Sequence, residues 1–287
     1  MAAQGAQCGG VQRRHVPAED FDAAGREPGP GRQDAGHGAQ QGGLAAAGGA
    51  GESGDTAGAD LQAAAVQEQT AVRGGDREVR ELAENLARSQ DNTVFTEQHN
   101  NPSNGVGYFP VAHELNEALD GRLHVLIGAV GTGGALCGTA RELRTLIPSF
   151  RTIGVEPKGS IAFGGPAHDY YQSGTGTPEG AEIGALVDFD LIDEGVKVGD
   201  VEAFATCRAV ARTGLLIGGS AGGVVHVALS RLASLPPGTT MVALINDGGE
   251  KYLDTVFNDE WMRARGLLAP TTEREIEELL TKLRRNR

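Results

Sequence analysis

One uninterrupted passage limits what this chain can fold into. The apolar run Leu123–Val130 passes into the glycine cluster Gly131-Thr132-Gly133-Gly134, and a helical pattern over Ala135–Ile147 follows at once. The run is too short to cross a bilayer, and its unbroken apolar character fits a strand covered on both faces. Glycines let the backbone turn sharply and leave amide N–H groups bare of side chains. The helix that follows aims its unpaired N–H groups and positive dipole end back at the turn. A phosphate-sized anion could bind there without a charged side chain. A plain strand-to-helix turn would need the same glycines, so the motif alone leaves both readings open.

The same logic extends along the chain. Val79, Leu82, Ala83 and Leu86 fall at helical spacing and predict an amphipathic helix over 76–89. Thr93–Thr96 is a short strand candidate, followed by the polar, proline-containing loop Glu97–Asn104. Helices are expected over 108–119, 202–212 and 224–235, and strands over 151–156, 215–217 and 241–245. A second glycine turn, Gly218-Gly219-Ser220-Ala221-Gly222-Gly223, follows Leu215–Ile217, and Ser220 there could equally be a helix N-cap. Thr272 and Glu275 have capping-box spacing and predict a tail helix over 273–285. Such alternation predicts an α/β fold, a mostly parallel sheet with helices on both faces. Ligands of these sheets bind beyond the carboxyl ends of the strands, where both glycine turns would lie. The aperiodic, glycine-rich stretch 159–184 is either a binding loop or a solvated excursion.

Residues 1–75 are different material. Nearly half are glycine or alanine, Phe21 is the only aromatic, and no isoleucine occurs before Ile127. Too little apolar surface is present to offset the entropy of ordering, so disorder is expected there. The domain reading is therefore a low-complexity segment 1–75, an α/β domain 76–265 and a helical tail 266–287. A net charge of −13 disfavours nucleic acid or anionic lipid as the main partner. Cys8, Cys137 and Cys207 form neither a disulfide framework nor metal-ligand spacing. No stretch resembles a signal peptide or membrane span, so a cytoplasmic setting is expected.

A dinucleotide site is the competing chemistry. Gly131-x-Gly133 follows a strand, and Glu156 ends the next one where a ribose-binding acid would sit, but Leu136 occupies the third glycine position. His99, His113, His124, His168 and His226 share no spacing and give no metal or triad pattern.

From about 76 to 262 the motifs resemble the cysteine synthase and cystathionine β-synthase family, the fold-type II pyridoxal-phosphate enzymes. Gly131-Thr132-Gly133-Gly134-Ala135 is similar to that family's phosphate loop. Gly154–Ser160, Gly214–Gly222, Asn246–Leu253 with Phe257–Trp261, and the Gln98–Asn104 loop resemble further family motifs in the same order. The resemblance implies pyridoxal 5'-phosphate held at Gly131, Thr132, Gly133, Gly134 and Ala135, with Ser220 at the pyridine nitrogen. It implies Gln98 at the carboxylate of a small amino-acid substrate, β-replacement chemistry on O-acetyl- or O-phosphoserine, and a homodimer. Phe163-Gly164 and Tyr252–Phe257 lean towards the subgroup that joins O-phosphoserine to glutamate.

The departures bear on activity. Family members carry a Schiff-base lysine in a motif near the N-terminus, but this chain's four lysines, Lys158, Lys197, Lys251 and Lys282, all follow the phosphate loop. No catalytic residue is therefore assigned, and the smaller N-terminal domain is expected to be missing or degraded. Ser53–Gly58 only echoes the family's substrate loop, with Asp55 in place of asparagine, and Ala135 replaces a phosphate-binding threonine. The expectation is an enzyme family member inactive as written, with a non-catalytic binding or interface protein and a nicotinamide oxidoreductase as the alternatives.

Overall fold

The computed structural model describes residues 75–91, 93–147, 149–232 and 234–285. The reading of 1–75 as a low-complexity, disordered segment falls outside these residues, apart from Gly75 itself. Helix α1 (Gly75–Ser89) leads through an irregular stretch to the short α2 (Pro102–Val106) and α3 (Phe109–Leu119). Strand β1 (Val125–Ala129), helix α4 (Gly134–Leu146) and strand β2 (Arg151–Pro157) come next. A long connection reaches β3 (Glu194–Val198), followed by α5 (Asp200–Ala211), α6 (Gly219–Leu232) and β4 (Met241–Ala243). Helices α7 (Asp259–Ala264) and α8 (Pro270–Arg285) complete the described chain.

The four strands form one parallel sheet in the order β3-β2-β1-β4. Every residue of the central strand β1 is buried, which explains its lack of polar alternation. Val125, Ile127 and Ala129 join a cluster with Phe204 of α5, Val224 of α6 and Ile276 of α8. Leu126, and Val130 just past the strand, join the other cluster with Leu115 of α3 and Leu136 and Leu143 of α4. The pleat thus sends alternate residues into two cores, one on each side of the sheet. Gly128, Gly154 and Gly195 pair in a row across three strands. The Phe163 ring is seated on that row: a Cβ at Gly154 or at Gly195 would lie 2.6 Å from a ring atom.

Several expected elements need correction. Thr93–Thr96 forms no strand, and Leu215–Ile217 contributes only an isolated antiparallel bridge from Ile217 to Gly248. The strand missing from the sequence reading is β3, whose Glu194-Gly195-Val196-Lys197-Val198 carries too many charges to resemble a buried strand. Helix α6 begins at Gly219, so most of the second glycine cluster is its first turn and not a loop before it. Helix α8 begins at Pro270, where the missing N–H is no loss. Thr272 and Glu275 therefore lie inside the helix, and the Glu273 N–H bonds the Ala269 carbonyl at 3.0 Å. The capping box is not formed. No helix among the described residues is long and apolar enough to cross a membrane.

Candidate functional site

The first cradle follows β1. Gly133 takes φ +87°, and a Cβ there would sit 2.6 Å from the backbone of Leu186 and Val187, so glycine is required on two counts. The first backbone bond of α4 runs from the Cys137 N–H to the Gly133 carbonyl at 2.9 Å, leaving the Ala135 and Leu136 amides unpaired within the helix. The Thr132 hydroxyl accepts from the Gly134 N–H at 3.2 Å and from Asn104 Nδ2 at 3.4 Å. Asn104 also donates to the Gln98 carbonyl at 2.7 Å. The structure thereby brings the Gln98 loop against the glycine turn. Asn101 holds that loop in shape, donating to the Thr96 carbonyl at 2.9 Å and capping α2 through the Ser103 N–H at 3.0 Å.

The second cradle is the start of α6. Its first intrahelical bond joins the Gly222 N–H to the Gly218 carbonyl at 3.0 Å, so the amides of Gly219, Ser220 and Ala221 have no intrahelical acceptor. Ser220 is only 4% exposed and lies in the first turn, not at the cap position. A Cβ at Gly222 would lie 2.2 Å from the Ala203 carbonyl, which is why α5 and α6 can pack so closely here. The Gly218 N–H bonds the Asp247 carbonyl at 3.1 Å. One oxygen of that aspartate, Oδ1, is buried with no hydrogen-bond partner among the described residues.

Both cradles open at the same end of the sheet. Gly131 follows the carboxyl end of β1, and Asp247 follows the carboxyl end of the neighbouring β4, whose next residue Leu244 bonds the Ile127 carbonyl at 2.8 Å. The loop Ser173–Thr177 spans between them. Thr175 Oγ1 and the Gly176 N–H both bond the Val130 carbonyl, at 2.9 and 2.7 Å, and a Cβ on Gly131 would lie 3.2 Å from the Gly174 carbonyl. Ser173 meets the Tyr252 hydroxyl at 3.0 Å, and Tyr252 donates to Asp247 Oδ2 at 2.7 Å. Asn104, Ser173, Thr175, Asp247 and Tyr252 are site residues that sequence reasoning did not single out. Only their membership of motifs beside the glycine turns could have pointed to them.

The charged groups around the site are largely engaged. Lys251 lies 3.2 Å from Asp247 Oδ2, Lys197 2.8 Å from Glu156, and Lys158 4.0 Å from Glu202. Lys282 is exposed on α8, which packs on the α5 and α6 side of the sheet. Glu156 is 1% exposed and accepts from the Ala162 and Phe163 N–H groups at 3.1 and 2.9 Å, as well as from the Ser160 hydroxyl. Its oxygens are consumed in folding the loop after β2. It is therefore a structural acid, not a ribose-binding one, and the dinucleotide reading loses its key residue.

A phosphorylated flat ring suits this arrangement at both ends. Bare amides at a positive helix end face the first cradle. The buried Ser220 lies at the second, in the helix turn that follows Gly218, whose N–H bonds the backbone of Asp247.

Comparison with known proteins supplies the wider frame. The family model described as pyridoxal-phosphate dependent enzyme matches residues 56–247, so the match reaches back to Thr56 in the segment that echoes the substrate loop. A provisionally named cysteine synthase of Sinorhizobium fredii is 45% identical over 68% of this chain and 59% of its own length. An N-(2-amino-2-carboxyethyl)-L-glutamate synthase of Cupriavidus metallidurans is 35% identical over 66% of this chain and 57% of its own. The crystal structure of an O-acetylserine-dependent cystathionine β-synthase from Helicobacter pylori superposes with TM-score 0.57 at 32% identity, over 63% of this chain and 59% of that one. The chain thus spans a little over half the length of these relatives.

Proposed function

The chain belongs to the pyridoxal-phosphate dependent enzyme family, and on that premise we propose that its carboxyl-edge cradles hold pyridoxal 5'-phosphate. The phosphate would lie on the amides of the Gly131–Ala135 turn, with the Thr132 hydroxyl beside it. The pyridine nitrogen would meet the Ser220 hydroxyl. The parent chemistry is β-replacement on an activated serine, in keeping with the cysteine synthase, the N-(2-amino-2-carboxyethyl)-L-glutamate synthase and the O-acetylserine-dependent cystathionine β-synthase that the chain resembles. When bound, the cofactor supplies an electron sink for bonds at an amino acid's α-carbon. Ser220 is a neutral hydroxyl and would hydrogen-bond the ring nitrogen without charging it, which keeps that sink moderate. Gln98, on the loop that Asn104 ties to the turn, would receive the substrate carboxylate. O-acetyl- or O-phosphoserine is the proposed donor, and the catalytic unit is 76–265, in a cytoplasmic homodimer.

The observation that supports this reading best is the shared edge. Two unpaired helix starts open beyond the adjacent strands β1 and β4, and one loop, Ser173–Thr177, touches both surroundings. We further propose that this polypeptide alone binds the cofactor without a covalent link and does not turn over. Lys197 and Lys251 lie 2.8 and 3.2 Å from carboxylates, and the exposed Lys158 lies 4.0 Å from Glu202. A cofactor-binding protein without catalysis is the second reading, and the same lysine placement favours it.

Equilibrium dialysis of the full chain against pyridoxal phosphate tests the proposal. Saturable binding that inorganic phosphate competes, weakened by Thr132→Val and by Ser220→Val, is the expected result. Borohydride treatment and mass spectrometry should then find no stoichiometric pyridoxyl-lysine. Binding that neither variant weakens would overturn the site, and one labelled lysine with measurable turnover would overturn the inactivity.

A further inference from the structure

At the opposite edge of the sheet, the first residues of all four strands meet the last turn of α6 around a cavity of about 200 Å³. Val125, Ile153 and Met241 give it an apolar floor, and Arg151, Glu194 and Arg231 give it a charged rim. Arg231 bonds Glu194 directly, and the Arg151 guanidinium lies 3.6 Å from the other oxygen of the same carboxylate. Two cations therefore share one anion. Arg231 Nε, moreover, is buried with no hydrogen-bond partner among the described residues. The rest of the guanidinium remains reachable, the Arg231 and Arg151 side chains being 40% and 64% exposed.

We propose that this cavity binds a compact aliphatic monocarboxylate, distinct from the carboxyl-edge site and independent of the function assigned to it. The carboxylate would lie against the Arg231 and Arg151 guanidinium groups, supplying the second negative charge that this pair of cations lacks. Its short branched body would cover Val125, Ile153 and Met241. Charge-assisted, forked contacts of arginine with a carboxylate are among the stronger polar contacts available to a protein. The carboxyl end of α6 opposes an anion, but a helix dipole is weaker than a paired guanidinium at contact. A phosphate dianion would satisfy the arginines while leaving the apolar floor wet, and a neutral amide would leave the charge surplus in place.

Ligand-observed NMR on the full chain tests this with isobutyrate, isobutyramide and inorganic phosphate as probes. Isobutyrate should bind at least tenfold more tightly than either of the others. Arg231→Met should weaken it at least tenfold, whereas Glu194→Gln, which adds to the positive surplus, should tighten it several-fold. The Glu194→Gln gain cannot come from misfolding, so it protects the test against an unstable Arg231 variant. Thr132→Val should leave isobutyrate binding unchanged, which separates this cavity from the carboxyl-edge site. Equal binding of the amide or of phosphate, indifference to both rim substitutions, or loss of binding in Thr132→Val would each overturn the proposal.

Discussion

The Tyr252 hydroxyl donates to Asp247 Oδ2 at 2.7 Å, and its own oxygen meets Ser173 Oγ at 3.0 Å. One phenol thus couples the segment that supports Gly218 to the loop that underlies Gly131. Burial raises its pKa well above the usual tyrosine value, the Ser173 bond pulls the other way, and Asp247 adds to the rise. It remains a donor throughout the neutral range.

Tyr252→Phe removes both bonds and little else. The expected loss of stability is about 1–2 kcal/mol, because Asp247 is left with the Lys251 ammonium alone on that oxygen. The larger effect should be on binding at the two cradles, whose spacing the phenol helps to fix. Urea unfolding together with pyridoxal phosphate dialysis measures both. A variant with wild-type cofactor affinity would show that the two cradles keep their spacing without this residue.

Lys197 is the counter-charge of a carboxylate that has no access to water. Glu156 has a fully buried side chain, and the ammonium lies 2.8 Å away at 24% exposure. Lys197→Met should therefore destabilise by about 3 kcal/mol, since an uncompensated buried charge remains. Glu156→Gln in the same background should recover part of that loss, because a neutral amide can still accept from the Phe163 or Ala162 N–H. Equal denaturant midpoints for Lys197→Met and the wild type would refute the pair's structural role.

Strands β1, β2 and β4 and the first glycine turn were legible because their signals are local. An unbroken apolar run such as Leu126-Ile127 and a cluster such as Gly131–Gly134 carry their own reason for being there. Strand β3 was not legible, since Lys197 and Glu194 are drawn into it by partners, Glu156 and Arg231, that lie 41 and 37 residues away in sequence. The same holds for Leu215–Ile217: an apolar run of strand composition is used as the approach to α6, and tertiary pairing with Gly248 decides its state. Around the proposed site, sequence motifs point to Gly131–Ala135, Gln98 and Ser220. Tyr252 and Ser173 were not, because a bridge between two loops leaves no trace in the spacing of either.

His226 should set part of the pH dependence of stability. Burial lowers its pKa, Glu202 opposes that, and Lys158 reinforces it. The folded protein therefore holds the ring neutral where the unfolded chain, with a pKa near 6.5, has begun to bind a proton. Stability from this group is complete above the unfolded pKa and falls as pH drops below it, by no more than about 1.4 kcal/mol per pH unit. Replacing His226 with glutamine should flatten the stability profile between about pH 7 and pH 5. Identical slopes for variant and wild type would assign the acid loss to other groups.

The composition of residues 1–75 leads to a prediction about the gene. That stretch has no lysine and no isoleucine, and is dominated by glycine, alanine, arginine and glutamine. An out-of-frame reading of GC-rich coding sequence yields such a mixture. Translating the other two frames upstream of codon 56, where the in-frame family match begins, should reveal a lysine-bearing motif and β-branched strands. If neither frame contains them, the out-of-frame reading of this segment is overturned.

Glu273 joins α8 to the rest of the protein. It is 2% exposed, with Arg208 Nε at 2.8 Å and an Arg212 guanidinium nitrogen at 2.7 Å. Arg208 also donates to the Val256 carbonyl at 3.1 Å, so its guanidinium is fixed from two sides and only 12% exposed. Arg212 is half-exposed, and solvent screening leaves its contribution below about 1 kcal/mol. Arg208 carries the coupling. Glu273→Ala would leave Arg208 with the half-exposed Asp259 carboxylate, 2.5 Å away, as its remaining counter-charge, at a cost of about 2 kcal/mol. Because Ile276 on the next turn is packed into the core beside α5, the released helix should expose apolar surface as it frays. Limited proteolysis should then cut within 266–285 before the body of the domain, and Arg212→Ala should leave that order and the urea midpoint nearly unchanged. Cleavage of Glu273→Ala at the wild-type rate would show that apolar packing alone holds the helix.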